Sequence, residues 1–138
     1  MDIQIPYGRQ MLALQLPADQ VAGVCNPRPM AAAPSPDELL RDSIERAFQE
    51  RGLVDKASPE ARACIAVTDR TRSTPNEQIV PIILDQLNSL GVPDEGITVI
   101  SAGGMHAPDS AEELTRNVGQ GVMDRVDVLT NEPDNEDV

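Results

Sequence analysis

The chain has 138 residues, an apolar fraction of 40% and a net charge of -12, which is one domain's worth of sequence with enough aliphatic material for a core. So acidic a surface repels nucleic-acid backbone and anionic membrane overall, and Tyr7 and Phe48, the only aromatics, make no platform for base stacking. No apolar run approaches transmembrane length and no basic-then-apolar leader opens the chain, so a reduced cytoplasmic protein is expected, with neither nucleic acid nor membrane as partner.

Asp2 to Gly8 alternates and then turns, and Met11 to Leu16 alternates again with Leu12, Leu14 and Leu16 on one side. The pattern predicts a two-stranded antiparallel arm. Gly8 is a weak turn signal in it, because the connection reads as longer than a two-residue hairpin. Asp19 to Pro36 holds Pro27, Pro29, Pro34 and Pro36 and reads as an irregular surface connector. Ser35-Pro36-Asp37-Glu38 is a capping box with Pro at the first helical position. Leu40, Ile44, Ala47 and Phe48 then mark one face of a helix that Gly52 ends.

Ala63 to Thr68 reads as a strand buried on both faces, with Cys64 as a small buried hydrophobe. Neither Cys64 nor Cys25 has a CxxC partner or a metal-type spacing. Asp69-Arg70-Thr71-Arg72-Ser73-Thr74 follows, and then a helix from Asn76 to Leu90 with Thr74 at the cap, Pro75 at the first position and Glu77 three residues after the cap. Ile79, Ile83, Leu87 and Leu90 make its stripe, widened by Val80, Ile82 and Leu84. Pro81 leaves two readings open: a regular helix from Asn76 that tolerates the missing amide donor, or one that begins near Pro81 after an irregular turn.

Ile97 to Ser101 is a second buried strand, followed by Ala102-Gly103-Gly104-Met105-His106-Ala107-Pro108. Asp109 or Ser110 caps the next helix, Glu113 completes a second capping box, and Leu114 and Val118 face inward. Gly119-Gln120-Gly121 turns the chain, Val126 to Leu129 is a third strand, and five acids with no base occupy the chain from Asp127 onward. Strand, helix, strand, helix, strand connected in this way implies right-handed crossovers and parallel strands. The fold expected is α/β: a parallel, Rossmann-like sheet with helices on its faces, preceded by the antiparallel arm and one helix. As a single domain it divides into arm and connector (1–34), α/β core (35–130) and acidic tail (131–138).

Parallel strands place all their C-terminal ends on one edge, where open α/β sheets bind ligands. If 63–68 and 97–101 are neighbours, Asp69 to Arg72 and His106 line one crevice. Guanidinium forks, a Thr hydroxyl and a helix N-terminus make a phosphate or carboxylate grip. A solvated loop in which Asp69 pairs with a neighbouring Arg is the alternative, and residue types alone do not choose between them. The segment lacks the glycines of a Walker loop or a GxGxxG fingerprint. His106, flanked by Gly103-Gly104 and Ala107-Pro108, is placed to exchange a proton near neutral pH. No second His or Cys spacing accompanies it, so no metal site within the chain is expected. Ser73, Thr71 and Ser101 lack a nucleophile elbow.

At these two loops the sequence resembles the N-terminal domain of the nickel-pincer-nucleotide-dependent lactate racemase family. The likeness lies in Asp69, Thr71 and Arg72 after a strand, in Gly104-Met105-His106-Ala107-Pro108, and in Ile5-Pro6-Tyr7-Gly8 and Glu112-Glu113-Leu114. The resemblance implies that Asp69, Arg70, Thr71 and Arg72 bind the cofactor, nickel pyridinium-3,5-bisthiocarboxylate mononucleotide. It implies that His106 is one of two acid/base histidines acting on a small 2-hydroxy acid, and that the reaction is a hydride shuttle that inverts the centre. Ser73 stands where the family has Pro, and Ala107 where it has Arg, which leaves the substrate open. The family's cofactor-tethering Lys, nickel-binding His and second catalytic His fall beyond residue 138, so the chain alone is expected to be inactive, as a truncated piece or one part of a split protein. The other readings are a non-catalytic anion- or nucleotide-binding module of the same fold, and a fragment that binds nothing until paired with its missing C-terminal portion; the exposed last strand suggests an edge that could pair in a homo-oligomer.

Overall fold

The computed structural model describes residues 1–32 and 35–132. The chain divides into two compact units, Met1–Ala32 and Ala33–Val138. In the first, β1 (Asp2–Tyr7) pairs antiparallel with β2 (Gln10–Gln15), with Asp2 opposite Gln15 and Tyr7 opposite Gln10. The arm is as the alternation predicts, but its turn is tighter: only Gly8 and Arg9 lie between the strands, and Gly8 takes the positive φ of 60° that such a turn demands. Pro34 and the acidic residues from Asp134 onward lie outside the described residues.

The second unit opens with α1 (Pro36–Glu50), where the Ser35 side chain accepts from the Glu38 N–H. Phe48 is its one buried residue, and Ala47, expected on the same face, is exposed. The sheet follows: β3 (Ala63–Thr68), β4 (Ile97–Ala102) and β5 (Asp127–Thr130), parallel and in the order β3-β4-β5. Between them lie α2 (Asn76–Ser89), α3 (Ala111–Val118) and a four-residue helix, α4 (Gln120–Met123). Gly119, at φ 87°, ends α3, so the predicted glycine turn is one residue followed by a helical turn.

Alternate strand residues Val67, Ile97 and Val99 face Val80 and Leu84 of α2, Val118 of α3 and Val122 of α4 in one core. The buried ridge of α2 is therefore Val80, Ile82 and Leu84, while the stripe of Ile79, Ile83, Leu87 and Leu90 is half-buried. The helix runs through Pro81, settling the choice in favour of a start at Asn76. Pro81 is its sixth residue, so the carbonyl deprived of a donor belongs to Glu77, an exposed first-turn residue that water can serve. Pro75 occupies the N-cap and makes no side-chain cap bond, so Thr74 is not the cap.

The expectation that 63–68 is buried on both faces is corrected. Cys64, Ala66 and Thr68 are exposed, as are Ala102 and Leu129 across the same face of the sheet. The helices of the core cluster pack on the opposite face.

Candidate active site

Thr68, Ala102 and Thr130 end the three strands on one edge, and three loops meet there. Asn76, the buried first residue of α2, fixes this edge. Its Nδ2 donates to the Thr68 carbonyl at 3.1 Å and to Asn117 Oδ1 at 2.8 Å, and Asn117 Nδ2 donates to the same carbonyl at 2.9 Å. The end of β3, the start of α2 and the end of α3 are thereby bolted together.

On this frame the two predicted loops converge. Asp69 is only 4% exposed, and its Oδ2 lies 2.5 Å from His106 Nδ1. Its Oδ1 accepts from the Thr71 hydroxyl at 2.8 Å and the Thr71 N–H at 3.3 Å. The bond from His106, and after it the Thr71 hydroxyl, hold the Asp69 carboxyl below the usual carboxylate range. An ionised carboxylate only accepts, so Nδ1 carries the proton, and in the neutral ring Nε2 keeps its lone pair. The His106 side chain remains 48% exposed, and a turn from its N–H to the Gly103 carbonyl, 3.1 Å, shapes the loop.

The two guanidiniums differ. Arg70 is committed: Nη1 pairs with Asp109 Oδ1 and reaches the Ala107 carbonyl at 3.4 Å, and Nε meets Glu113 Oε1 at 3.1 Å. Among the described residues Arg72 makes no side-chain hydrogen bond or ion pair, and only its N–H is used, donating to the Asp69 carbonyl at 3.1 Å. It lines a cleft of about 300 Å³ with Asp69, Gly103, Gly104 and His106. A second cleft of about 200 Å³, with Thr74, Asn76 and Arg116, also opens onto Arg72. A free cation thus stands between the Asp69–His106 pair and the start of a helix. Among the described residues no group of three or more His, Cys, Asp or Glu is arranged to hold a metal ion.

Residues 7–138 match the family profile described as the lactate racemase N-terminal domain. The chain belongs to the lactate racemase N-terminal domain family. It is 26% identical over 129 residues to a lactate racemase of Lactiplantibacillus plantarum, covering 92% of this chain and 30% of that protein. Identity to a lactate racemase of Thermoanaerobacterium thermosaccharolyticum is 22% over 125 residues, covering 89% of this chain and 29% of the relative. The lactate racemase apoprotein structure from the same organism shares the fold, with a TM-score of 0.72 at 22% identity over 96% of this chain and 30% of that one. The chain thus spans about three-tenths of the length of the racemases it matches.

For this racemase-family domain the paired carboxylates set a pH dependence. Asp69, Asp94 (held down first by Arg125) and Glu113 (held down by Ser110) all bind protons less readily folded than unfolded. Their contribution is complete above the unfolded carboxylate range, near pH 4, and is lost as pH falls through the lower folded values. The urea midpoint is expected to hold from neutrality to about pH 5 and to fall below about pH 4. His106→Ala should shrink that fall by returning Asp69 toward the ordinary carboxylate range.

Sequence reasoning missed Asp109 as a site residue, along with Asn76, Asn117 and Asn131. Asp109 was legible only as a possible cap, yet Ser110 takes that role with both bonds of the capping box in place. An acid beside a working cap is spare, which was the available signal. Asn131 follows β5 on the same sheet edge, and its Nδ2 donates to the Gly104 carbonyl at 3.3 Å.

Proposed function

We propose that the chain is the N-terminal part of a nickel-pincer-nucleotide-dependent racemase or epimerase of 2-hydroxy acids, binding the cofactor phosphate and supplying one acid/base histidine. The observation that carries the reading is the Asp69–His106 pair opening, with Arg72, onto one cleft. His106 Nε2 takes the hydroxyl proton of the substrate and later returns it. Asp69 holds the ring in the accepting tautomer and stabilises the imidazolium formed when the proton arrives. Thr71 keeps the Asp69 carboxylate aimed by occupying its second oxygen. When bound, the cofactor supplies a hydride acceptor for the carbon-bound hydrogen. Arg72, unpaired in the loop before α2, offers its fork to a phosphate in a cleft that Thr74 also lines. The donors fit the nucleotide's anion and not its metal, whose protein ligand the reading places outside the described residues. The chain alone is therefore expected not to racemise, and to act in the cytoplasm joined to the rest of a longer protein or to a second polypeptide.

Arg72 gives the first test. Nicotinic acid mononucleotide, a pyridinium mononucleotide, is titrated into the labelled chain and followed by amide shifts. Saturable shifts are expected in residues 70–76 and 103–107, and Arg72→Ala should weaken binding about 10-fold or more, the loss of one charge-assisted bidentate contact. Equal affinity in the variant would remove Arg72 from the cofactor site. Nucleotide binding by the chain without racemisation by the complete protein would favour the non-catalytic module.

A further inference from the structure

Arg70 and Arg72 are two residues apart, and composition treats them alike. We propose that Arg70 is a positioning residue for His106, clamping the loop that carries the imidazole, and that it is not a ligand for the anion. The proposal rests on the functional reading above for what His106 does, but its geometry stands independently.

Every contact of the Arg70 fork falls on the C-terminal flank of His106. Nη1 reaches the Ala107 carbonyl, one residue on, and pairs with Asp109, three residues on, while Nε holds Glu113 in the first turn of α3. Asp109 is the centre of the clamp, with a side chain only 2% exposed. Its Oδ2 accepts from the Ser101 hydroxyl at 2.6 Å, and its N–H donates to Thr130 Oγ1 at 3.1 Å. The far flank is held by Asn131, whose Nδ2 reaches the Gly104 carbonyl. The loop from Gly103 to Asp109 is thus pinned at both ends to β4 and β5, with Arg70 crossing from the loop after β3.

Only a guanidinium serves here. Three acceptors at different angles require a planar array of donors, whereas an ammonium is one compact charge. Removing Arg70 alone leaves a carboxylate at 2% exposure without a counter-charge, which the loop relieves by opening toward water. Opening carries His106 away from Asp69, because Asp69 is fixed on β3 and its own loop. Arg70 and Arg116 also line the second cleft, but both are paired with acids, whereas Arg72 lines both clefts and, among the described residues, carries no such pair.

The test uses the one imidazole of the chain as its own probe. In the parent, the His106 Hδ1 proton bonded to Asp69 should give a single slowly exchanging downfield resonance. Arg70→Met is expected to lose that resonance while amides away from residues 69–73 and 101–113 keep their shifts. Arg70→Met/Asp109→Asn, which leaves no unpaired buried charge, should fold even where the single variant does not, and should lose it too. Arg70→Lys, which can pair with Asp109 but not span all three acceptors, should restore part of its intensity. Retention of the full resonance in both Met variants would overturn the proposal. So would retention accompanied by a 10-fold loss of affinity for nicotinic acid mononucleotide, since that pattern marks a ligand. A parent that shows the resonance but binds no mononucleotide would refute the functional reading and leave the clamp standing.

Discussion

On the proposed racemase reading, Asp69→Asn in the complete protein is expected to lower kcat by about 10²–10⁴-fold, approaching the loss expected of His106→Ala. The size follows from what asparagine presents to the ring. Its amide has the shape of the carboxylate but also carries donors. An NH2 facing Nδ1 stabilises the tautomer whose proton sits on Nε2, the nitrogen that on this reading accepts the substrate's proton. That proton would then have no acceptor, and no anion would remain beside the ring to stabilise an imidazolium. Inverting a catalytic imidazole in this way costs about 10⁴ in the serine-protease triad, a comparison of the same physical step on an unrelated fold. Binding should change less, because the proposed ligand of the anion is Arg72. The measurement is conversion of an optically pure 2-hydroxy acid, followed by chiral separation, with kcat and KM taken apart. Activity within a few-fold of the parent would show that the carboxylate does not serve the histidine.

Leu84→Ala is expected to destabilise the chain by about 2–5 kcal/mol, the range for truncating a fully buried Leu. Leu84 is completely inaccessible, as are Val80 one turn away and Val99 and Val118 in the same cluster. The cluster around Leu84 holds no aromatic side chain that could swing into the space, and its β-branched members have few alternative rotamers. The cavity should therefore persist. In urea unfolding the midpoint should drop with little change in slope, and the melting temperature should fall by about 10 °C for a chain of this length. Leu39→Ala on the exposed face of α1 is the control, expected within about 0.5 kcal/mol of the parent. A Leu84→Ala loss below about 1 kcal/mol would mean that the site collapses and that the core is looser than its burial implies.

The parts of the fold that sequence revealed share a physical cause. Handedness and connection rules leave few ways to lay out three strands joined by helices, so the parallel order and the shared edge were readable before any coordinates. The meeting of Asp69 with His106 followed from them. Burial of the second sheet face was not readable in the same way. Ala-Cys-Ile-Ala-Val is apolar on both sides whether or not anything covers it, and small residues such as Cys64 and Ala66 tolerate water at little cost. The hairpin turn was misjudged because Tyr7 and Gln10 extend the ladder further than their alternation suggests. The roles of Arg70 and Arg72 could not be separated from sequence. What separates them is a buried carboxylate 39 residues after Arg70, and Asp109 looked like one of two candidate caps. Pro81 was ambiguous because its cost depends on which carbonyl it orphans, and that depends on where the helix starts.

The claim on which the rest depends is that His106 Nδ1–H donates a hydrogen bond to the Asp69 carboxylate, so that the neutral ring leaves Nε2 open. The chain has one histidine, so a long-range proton–nitrogen correlation spectrum of the labelled protein, taken with the ring neutral, shows one pair of ring nitrogens. The geometry predicts a protonated Nδ1 and a bare Nε2 in the parent, and loss of that preference in Asp69→Asn. A ring protonated on Nε2, or averaging freely between tautomers in the parent, would contradict it.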